Sequence, residues 1–428
     1  METDLKNEME RYFDLLWPIN RSITGPGFRE SLEILSEIIP TERLRFESGS
    51  KAFDWVVPKE WKVNEAYIVD PSGKKITDFS KNNLHLMGYS ISINKKVGLE
   101  ELRPHLHTIE DKPDAIPFAT SYFKEDWGFC LTHNEYKKLS DGAYHVVIDS
   151  ELYDGYLEIG EAVIPGEKKD EVLFSSYLCH PSMANNELSG PIVLSFLYNY
   201  IKNMPKRQLT YRFVLSAETI GTICYLSLRG DHLKKNLKAG YVLTCLGDSQ
   251  KVTYKYSRNG NTLADRVAKT VLKKYDHSII PFVPFGSDER QYCSPGFNLP
   301  VGSIMRTRYG QFHEYHTSLD NKEFLSLDAL VSSLDVLKEI VNTLENNRIW
   351  RSSVQFGEPQ LSRYNLYPKE CVSKMFKGEF KAMKWLLNLA DGSNDLIEIA
   401  NRSQHKLSTL ALVAERLASA GLLEEKND

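Results

Sequence analysis

A polar segment between two apolar runs constrains the fold of this chain most strongly. Residues 172–177 form an apolar run typical of a buried strand, and residues 191–201 form one typical of a helix packed on it. Between them lies the segment CHPSMANNELSG, residues 179–190. Open α/β sheets gather their chemistry at the carboxyl ends of strands, which makes His180 and Glu187 candidate metal ligands. The alternative is a structural turn whose polar residues cap the next helix.

The same alternation of strand and helix continues to residue 344. Five short apolar runs predict strands, and four longer segments with helical spacing of apolar residues predict helices. The predicted strands are residues 157–164, 172–177, 211–216, 241–245 and 302–305, and the predicted helices are residues 190–202, 219–228, 262–274 and 326–344. Strands that alternate with helices in this way form a mixed, mainly parallel sheet covered by helices. The sequence therefore predicts an α/β fold.

Two other regions differ in pattern from this α/β part. Residues 54–154 contain short β-like runs, many aromatic residues and several turns, which predict an inserted, mostly β domain. Residues 350–428 begin with a linker-like stretch, and three helical segments and a β-like end follow. That order predicts a C-terminal winged helix-turn-helix domain. The α/β domain is accordingly assigned to residues 1–53 and 155–349.

Composition limits the expected partners and compartment. The chain has 428 residues and a formal charge of −4, which gives no general attraction to nucleic acids or membranes. Residues 351–428 carry 11 lysines and arginines against 10 aspartates and glutamates, so we expect the winged helix to contact protein or to mediate homo-oligomer formation. The N-terminus lacks the apolar core of a secretory signal, and no apolar run is long enough to span a bilayer. Six scattered cysteines without a C-x-x-C pair suit reduced thiols, so a cytoplasmic protein is expected.

Carboxylates and a histidine follow several of the predicted strands. Glu218 comes directly after the strand at 211–216, and Asp248 follows the next strand. Asp288 lies in a compact polar loop, and His316 precedes the long last helix. Because the ends of parallel strands meet at one edge of a sheet, Glu218 is a candidate general base for a metal-bound water. In the structural alternative, Glu218 caps the following helix and the other residues are solvated loop positions.

Four arginines and a tyrosine fall near these clusters in the sequence. Arginine pairs bidentately with carboxylates or phosphates, and tyrosine stacks on rings. If these side chains face the site, the substrate is anionic, such as a peptide terminus, a uronic acid or a sugar phosphate. The alternative is that the arginines form salt bridges with nearby carboxylates. The residues concerned are Arg258, Arg290, Arg306, Arg308 and Tyr309.

The order of these motifs resembles the zinc-dependent aminopeptidases with a co-catalytic metal site, whose relatives include carboxypeptidases and glutaminyl cyclases. The positions that carry the resemblance are His180, residues 184–190, Glu218-Thr219, Asp248, Ser287-Asp288 and His316-Thr317. More closely, the whole chain resembles a bacterial group that combines this peptidase-like domain with an inserted β-rich domain and a C-terminal winged helix. Members of that group are often described as associated with polysaccharide biosynthesis.

The resemblance implies a zinc site, but two positions depart from the family pattern. Asn186 stands where the family has its bridging aspartate, and Thr219 stands where it has a glutamate ligand. Asparagine is a poor zinc ligand and threonine cannot replace a carboxylate, so one zinc ion rather than two is expected. The expected ligands are His180, His316 and either Glu187 or Asp248.

These observations predict a metal-dependent, aminopeptidase-like hydrolase that cleaves an amide or peptide bond in a small, anionic or sugar-linked substrate. Glu218 takes the position of the general base. The expected substrate-binding residues are Asn186, Arg258, Asp288, Arg290, Arg306, Arg308 and Tyr309. The two departures support an alternative, a catalytically altered ligand-binding or regulatory protein whose winged helix mediates protein contacts.

Overall fold

The structure is a computed structural model that describes residues 2–367 and 378–426. Contacts between residues divide the chain into two compact units. Unit 1 comprises the described residues of Met1–Asp265 and Lys274–Val336, and unit 2 comprises those of Arg266–Lys273 and Leu337–Asp428. Among the described residues, every helix is too short or too polar to span a lipid bilayer.

The secondary structure follows the predicted alternation over the middle of the chain. The helices are α1 Glu2–Leu16, α2 Pro26–Ser36, α3 Leu99–Leu102, α4 His133–Tyr136, α5 Ser189–Lys202, α6 Ile220–Asn236, α7 Leu263–Leu272, α8 Glu289–Tyr292, α9 Leu327–Asn346, α10 Gly378–Leu389, α11 Leu396–Ser403 and α12 Leu407–Ser419. The strands are β1 Glu42–Glu47, β2 Lys51–Ala52, β3 Trp55–Val56, β4 Glu60–Val69, β5 Lys75–Asp78, β6 Ile93–Gly98, β7 Leu106–His107, β8 Phe129–Cys130, β9 Ala143–Tyr153, β10 Tyr156–Ile164, β11 Glu171–Tyr177, β12 Thr210–Ser216, β13 Leu237–Leu243, β14 Val252–Lys255, β15 His277–Ile280, β16 Val301–Met305, β17 Ile349–Ser352, β18 Asp391–Asp395 and β19 Leu423–Glu425.

Unit 1 is built on an eight-stranded mixed sheet. Its strand order is β1-β10-β12-β11-β13-β16-β14-β15, and the four central strands β12, β11, β13 and β16 are parallel. This arrangement confirms the predicted α/β fold with a mixed, mainly parallel sheet. Strands β1, β14 and β15 were not predicted, because these short strands lack a continuous apolar run. Strand β1, for example, has the sequence ERLRFE and lies at an edge of the sheet.

Helix α5 lies unusually close to the sheet, and a glycine makes this approach possible. A Cβ atom at Gly190 would lie 2.3 Å from the Ser176 hydroxyl oxygen and 2.6 Å from the Leu243 carbonyl oxygen. Any larger residue would push the helix away from β11 and β13. The Ser-Gly pair that ends the polar segment 179–190 therefore fixes the distance between the segment and the sheet.

The inserted region of unit 1 forms a separate antiparallel sheet. Its strand order is β5-β4-β9-β6, with the long strands β4 and β9 paired from Glu60↔Tyr153 to Val69↔His145. This agrees with the predicted mostly β insertion. The isolated bridge Pro117↔Thr317 joins a loop of this region to the loop that carries His316.

Unit 2 contains the C-terminal helices and a three-stranded antiparallel sheet of order β18-β17-β19. The predicted linker-like stretch was wrong at its start, because residues 349–352 form the central strand of this sheet. Trp350 in that strand is buried in a core with Leu386, Leu410 and Leu417. The sequence alone did not indicate this strand because its partners lie 40 to 75 residues further along the chain.

A buried ion network ties three neighbouring strands of the central sheet together. Arg212 on β12 donates to Glu161 on β10 and to Glu171 on β11, with nitrogen–oxygen distances of 2.5 and 2.8 Å. All three side chains are buried, and Arg229 on α6 adds a 2.8 Å bond to Glu161. Removing one member of such a network leaves uncompensated charges inside the protein.

We predict that Arg212→Ala lowers the free energy of unfolding of unit 1 by about 3–5 kcal/mol, because Glu161 and Glu171 then lose their shared partner. Urea denaturation followed by tryptophan fluorescence measures the change. Lys95→Ala serves as the control, because Lys95 pairs with Glu101 at the surface and its loss changes stability by about 0.5 kcal/mol at most. An Arg212→Ala midpoint that equals the control would contradict the role assigned to the network.

Candidate active site

Three polar residues from separate loops face one cavity beyond the ends of the parallel strands. Nε2 of His180 lies 3.8 Å from Oε2 of Glu218, and the ring centroids of His180 and His316 are 5.3 Å apart. The cavity has a volume of about 510 Å³, and these three side chains and Arg290 are part of its lining. The structure thus brings together the predicted general base and both predicted histidine ligands.

The strand register explains why two of these loops meet. Tyr177 at the end of β11 is in register with Ser216 at the end of β12. The polar residues that follow each strand therefore leave the sheet side by side, and the Glu218 amide donates to Cys179 Sγ at 3.3 Å. His180 and Glu218 are neighbours because two parallel strands end at the same level.

A carboxylate and a buried arginine hold His180 in place. Its Nδ1 lies 2.6 Å from Oε2 of Glu187, and its carbonyl oxygen accepts a 3.2 Å bond from Nε of Arg21. Burial disfavours the charged ring, but Cys179 and Glu187 together raise the pKa of His180 well above its usual range. With Nδ1 engaged by Glu187, Nε2 is the nitrogen on the side of Glu218.

The polar segment after His180 contains buried atoms without partners in the described chain. Oε1 of Glu187 and both side-chain atoms of Asn186 are buried and make no hydrogen bond within residues 2–367 and 378–426. Cys179 Sγ, a His180 ring nitrogen and a Glu187 oxygen all lie within 4.8 Å of one another. Buried polar groups usually have partners, so these atoms are candidates to bind a water molecule, an ion or a ligand.

Asp320 anchors this segment. Residues Ala184–Leu188 form a π-helical turn, whose amides at Asn185 and Asn186 donate to the two Asp320 carboxylate oxygens at 2.6 and 2.9 Å. The Ala184 amide donates to the Asp320 carbonyl oxygen at 2.9 Å. A carboxylate at the positive end of a helical turn satisfies amides that have no helical partner.

Glu218 is followed by a strained turn. Thr219 has φ 64° and ψ −77°, and the Ile220 amide bonds the Glu218 carbonyl at 2.8 Å, which together describe a γ-turn of the rare positive-φ type. Asp288 holds the turn by accepting a 2.7 Å bond from the Thr219 amide, and Arg290 donates to the Thr219 hydroxyl at 2.8 Å. Asp288 therefore holds the backbone next to Glu218 in place, whereas Arg290 lines the cavity.

His316 is held by the inserted region. The Phe118 amide donates to the His316 carbonyl oxygen at 2.9 Å, and the Phe118 ring lies 5.3 Å from the His316 ring and 5.0 Å from the His180 ring. His316 has φ 54°, and burial together with nearby His180 lowers its pKa to about 3. A neutral imidazole with a free lone pair is the form that binds metal ions.

Other predicted site residues lie outside the cavity lining. Asp248 accepts four bonds, from Asn185, from the Gln250 amide and from the amide and hydroxyl of Thr307, so its carboxylate is fully used. Arg306 is buried and donates hydrogen bonds to the Ser333 hydroxyl and to two carbonyl oxygens. These residues hold loops together in the structure, which differs from the ligand and substrate roles expected from the sequence.

Three further expected substrate-binding residues also lie outside the lining. Arg258 is exposed, and Arg308 lies over the Tyr309 ring with its guanidinium carbon 5.7 Å from the centroid. Tyr309 bonds to Lys255, which forms a fully buried 2.5 Å ion pair with Glu289. Tyr309 and this ion pair brace the loop that precedes Arg290.

Several residues around the site were not predicted from the sequence. Arg21 bonds the His180 carbonyl oxygen, and Cys179 Sγ lies near the His180 ring. The inserted region contributes three aromatic residues to the cavity lining, Trp55, Phe118 and Tyr122. Cys179 lay beside the predicted histidine and could have been chosen as a candidate for that reason. The others carry no local signal, because their role depends on contacts between distant parts of the chain.

Comparison with protein families assigns the chain. The model of a family described as a domain of unknown function (DUF4910) matches residues 11–347. The chain belongs to this family. A winged helix-turn-helix family model matches residues 348–425. A Clostridium acetobutylicum protein is 42% identical over 419 residues, which cover 97% of this chain and 96% of that protein. It is provisionally named a polysaccharide biosynthesis protein with an aminopeptidase-like domain.

Solved structures place the fold among the zinc aminopeptidases. A crystal structure provisionally described as a Clostridium acetobutylicum peptidase has a TM-score of 0.91 and 41% identity, and covers 99% of this chain and 97% of that chain. The zinc aminopeptidase of Bacillus subtilis has a TM-score of 0.58 and 12% identity, covering 80% of this chain and 94% of its own. A peptidase M28 precursor from Shewanella amazonensis has a TM-score of 0.54 and 11% identity, covering 84% and 99%. The predicted resemblance in fold is confirmed.

We predict that Asp320→Asn lowers the free energy of unfolding by about 1–3 kcal/mol, because the new NH₂ group faces a backbone amide that needs an acceptor. Thermal and urea denaturation of the purified protein measure the change. Asp328→Asn is the matched control, since Asp328 is 81% exposed and pairs with Lys6 at the surface. Equal stability of the two variants would contradict the anchoring role of Asp320.

Proposed function

We propose that this chain is a metal-dependent hydrolase that cleaves an amide or peptide bond in a small substrate. The observation that supports this most directly is the convergence of His180, Glu218 and His316 on one cavity. Two imidazoles that can hold a zinc ion, with a carboxylate beside them as the base, suit a zinc-dependent hydrolase. The fold relationship to the zinc aminopeptidases supports the proposal, because that fold houses the same chemistry in the Bacillus subtilis zinc aminopeptidase.

The residues present fit a single zinc ion. His180 and His316 are proposed as ligands, since both rings border the cavity and one ring nitrogen of His180 is oriented by Glu187. Glu187 lies on the Nδ1 side of the ring, away from Nε2, and is therefore proposed to orient His180 and not to bind the ion itself. Histidine ligands are commonly fixed by a carboxylate on their other nitrogen. When bound, zinc supplies an activated water and polarises the scissile carbonyl.

A second ion is not part of the proposal. Asn186 and Thr219 occupy the positions where the resemblance implies carboxylate ligands, and neither side chain carries a negative charge. Asp248, the alternative ligand expected from the sequence, already accepts four hydrogen bonds within unit 1. An oxygen with two donors has no lone pair left for a metal ion.

Glu218 is proposed as the general base. Its side chain is one-quarter exposed toward the cavity, and burial raises its pKa above the ordinary value, against the opposing influence of His180. A carboxylate with a raised pKa is a better proton acceptor at neutral pH. Glu218 would take a proton from the attacking water and deliver it to the leaving nitrogen, so that the amide yields an acid and an amine.

We predict that Glu218→Gln lowers kcat for amide hydrolysis by about 10²–10⁴-fold, because the amide side chain cannot accept the proton. Turnover is measured on a panel of aminoacyl and N-acyl amides, with zinc content determined by elemental analysis. Glu125→Gln, an exposed change outside the cavity lining, is the control and should retain wild-type turnover. Unchanged turnover in Glu218→Gln would remove Glu218 from the base position.

We predict that Glu187→Gln weakens zinc binding by about 10–100-fold, because the orienting carboxylate on the His180 ring is lost. Zinc affinity is measured by competition with a fluorescent chelator, after removal of zinc with a strong chelator. The wild-type protein should lose turnover on chelation and regain it with one equivalent of zinc. No stoichiometric zinc binding by the wild-type protein would contradict the metal site.

A non-catalytic role is the second candidate, and the uncharged side chains of Asn186 and Thr219 favour it. In that case the cavity binds a ligand without hydrolysis, and the winged helix carries the response to a protein partner or a second copy of the chain. The name of the Clostridium acetobutylicum relative points to polysaccharide biosynthesis as the setting. Ligand binding by a protein that holds no zinc and shows no turnover would favour this role.

A further inference from the structure

The inserted region supplies an aromatic wall to the cavity. Trp55, Phe118, Tyr122 and Phe123 all belong to it and line the cavity opposite the residues that follow the central strands. Trp55 and Phe123 are packed edge to face at 5.6 Å, and Tyr122 lies edge to face against Phe123 at 6.2 Å. Phe123 is 59% exposed, which leaves a large apolar surface at the cavity. Aromatic side chains exposed in a cavity favour a planar or apolar ligand group.

Arg290 is an arginine in the same lining with unused donor capacity. Its Nη2 donates to the Thr219 hydroxyl at 2.8 Å, while its buried Nε has no partner in the part of the chain that the structure describes. The Arg290 side chain lines the cavity, and a guanidinium group there is matched by an anionic acceptor. The charge of Arg290 also acts on Glu218, whose pKa it lowers in opposition to burial.

The charges of the lining distinguish between classes of substrate. Among the described residues that line the cavity, Arg290 is the only arginine or lysine, and Glu218 is the only carboxylate. A phosphate dianion is usually bound by several cations, so one guanidinium suits a carboxylate better. A free ammonium group would need a carboxylate of its own, and Glu218 is already assigned to the reacting water.

We propose that the substrate is an amide bearing a carboxylate, which Arg290 binds, and a planar or apolar group, which packs against Trp55 and Phe123. This inference rests on the proposed function of the same cavity, and it names the substrate class. The inserted region and the loop after Asp288 thus determine specificity, whereas the loops after the central strands carry out the reaction. The amide is cleaved between the two recognised groups, with the carboxylate retained by one product.

The test measures binding in the Glu218→Gln variant, so that hydrolysis does not interfere. Three probes share a phenyl ring and an amide: N-benzoylglycine carries a carboxylate, N-benzoylglycinamide is neutral, and glycine anilide carries an ammonium group. Isothermal titration calorimetry on the zinc-supplied full chain gives each Kd. We expect N-benzoylglycine to bind about tenfold or more tightly than either of the other probes, because only it pairs with Arg290.

Two further variants, each made in the Glu218→Gln background, locate the preference. Arg290→Gln should make the affinities for N-benzoylglycine and N-benzoylglycinamide equal, whereas Arg103→Gln, an exposed control outside the lining, should leave their ratio unchanged. Trp55→Ala should weaken both probes by a similar factor and preserve the ratio. Circular dichroism and thermal melting confirm that each variant is folded.

Tighter binding of the neutral or ammonium probe would overturn the inference, as would an Arg290→Gln variant that keeps the preference for N-benzoylglycine. Absence of N-benzoylglycine binding at millimolar concentration would also overturn it. These outcomes are independent of catalysis. A protein that hydrolyses amides but prefers the ammonium probe refutes the substrate class alone, and a protein that binds N-benzoylglycine without turnover refutes the proposed reaction alone.

Discussion

The parallel register of β12, β11 and β13 is the constraint on which the site depends. Tyr177 is in register with Ser216, and β13 runs beside β11 in the same direction. The carboxyl ends of these three neighbouring strands therefore lie side by side, and polar residues follow each of them. A shift of one residue in either pairing would place the residues after one strand on the opposite face of the sheet from those after its neighbour, because side chains alternate along a strand. The buried network of Arg212 joins β12 to β11 and to β10, and so opposes a shift in the pairing of β12 with β11.

Four of the ten non-glycine residues with positive φ in the described chain lie in loops that follow central strands of the sheet. The non-glycine residues concerned are Ser182 (φ 48°), Thr219 (φ 64°), Cys245 (φ 50°) and His316 (φ 54°). Such conformations cost about 1–3 kcal/mol each and persist only when surrounding contacts enforce them. Asp288 enforces the turn at Thr219, and the Phe118 amide enforces the conformation of His316. The stability of the sheet thereby supports a strained arrangement at its edge.

The inserted region contributes to the site in two ways. Phe118 packs against both cavity histidines, and its amide holds the loop of one of them. The aromatic residues around Phe123 complete the cavity on the side away from the strands. One wall of the cavity is therefore formed by the inserted region and not by the part of the chain that forms the central sheet. Variation of this wall would change the shape of the cavity without moving His180 or Glu218.

The sequence by itself determined the alternation of strands and helices, the β-rich insertion and the winged helix, because these follow from local periodicity. It also indicated His180, Glu218 and His316, since polar residues after buried strands meet at one sheet edge. Tertiary structure alone decided that the Asp248 carboxylate accepts four hydrogen bonds and that Arg306 donates to the carbonyl oxygens of Gln250 and Ala329. It also decided that Phe118 touches the histidines. These outcomes depend on contacts between residues far apart in the chain, and a local pattern cannot encode which distant donor reaches a given oxygen.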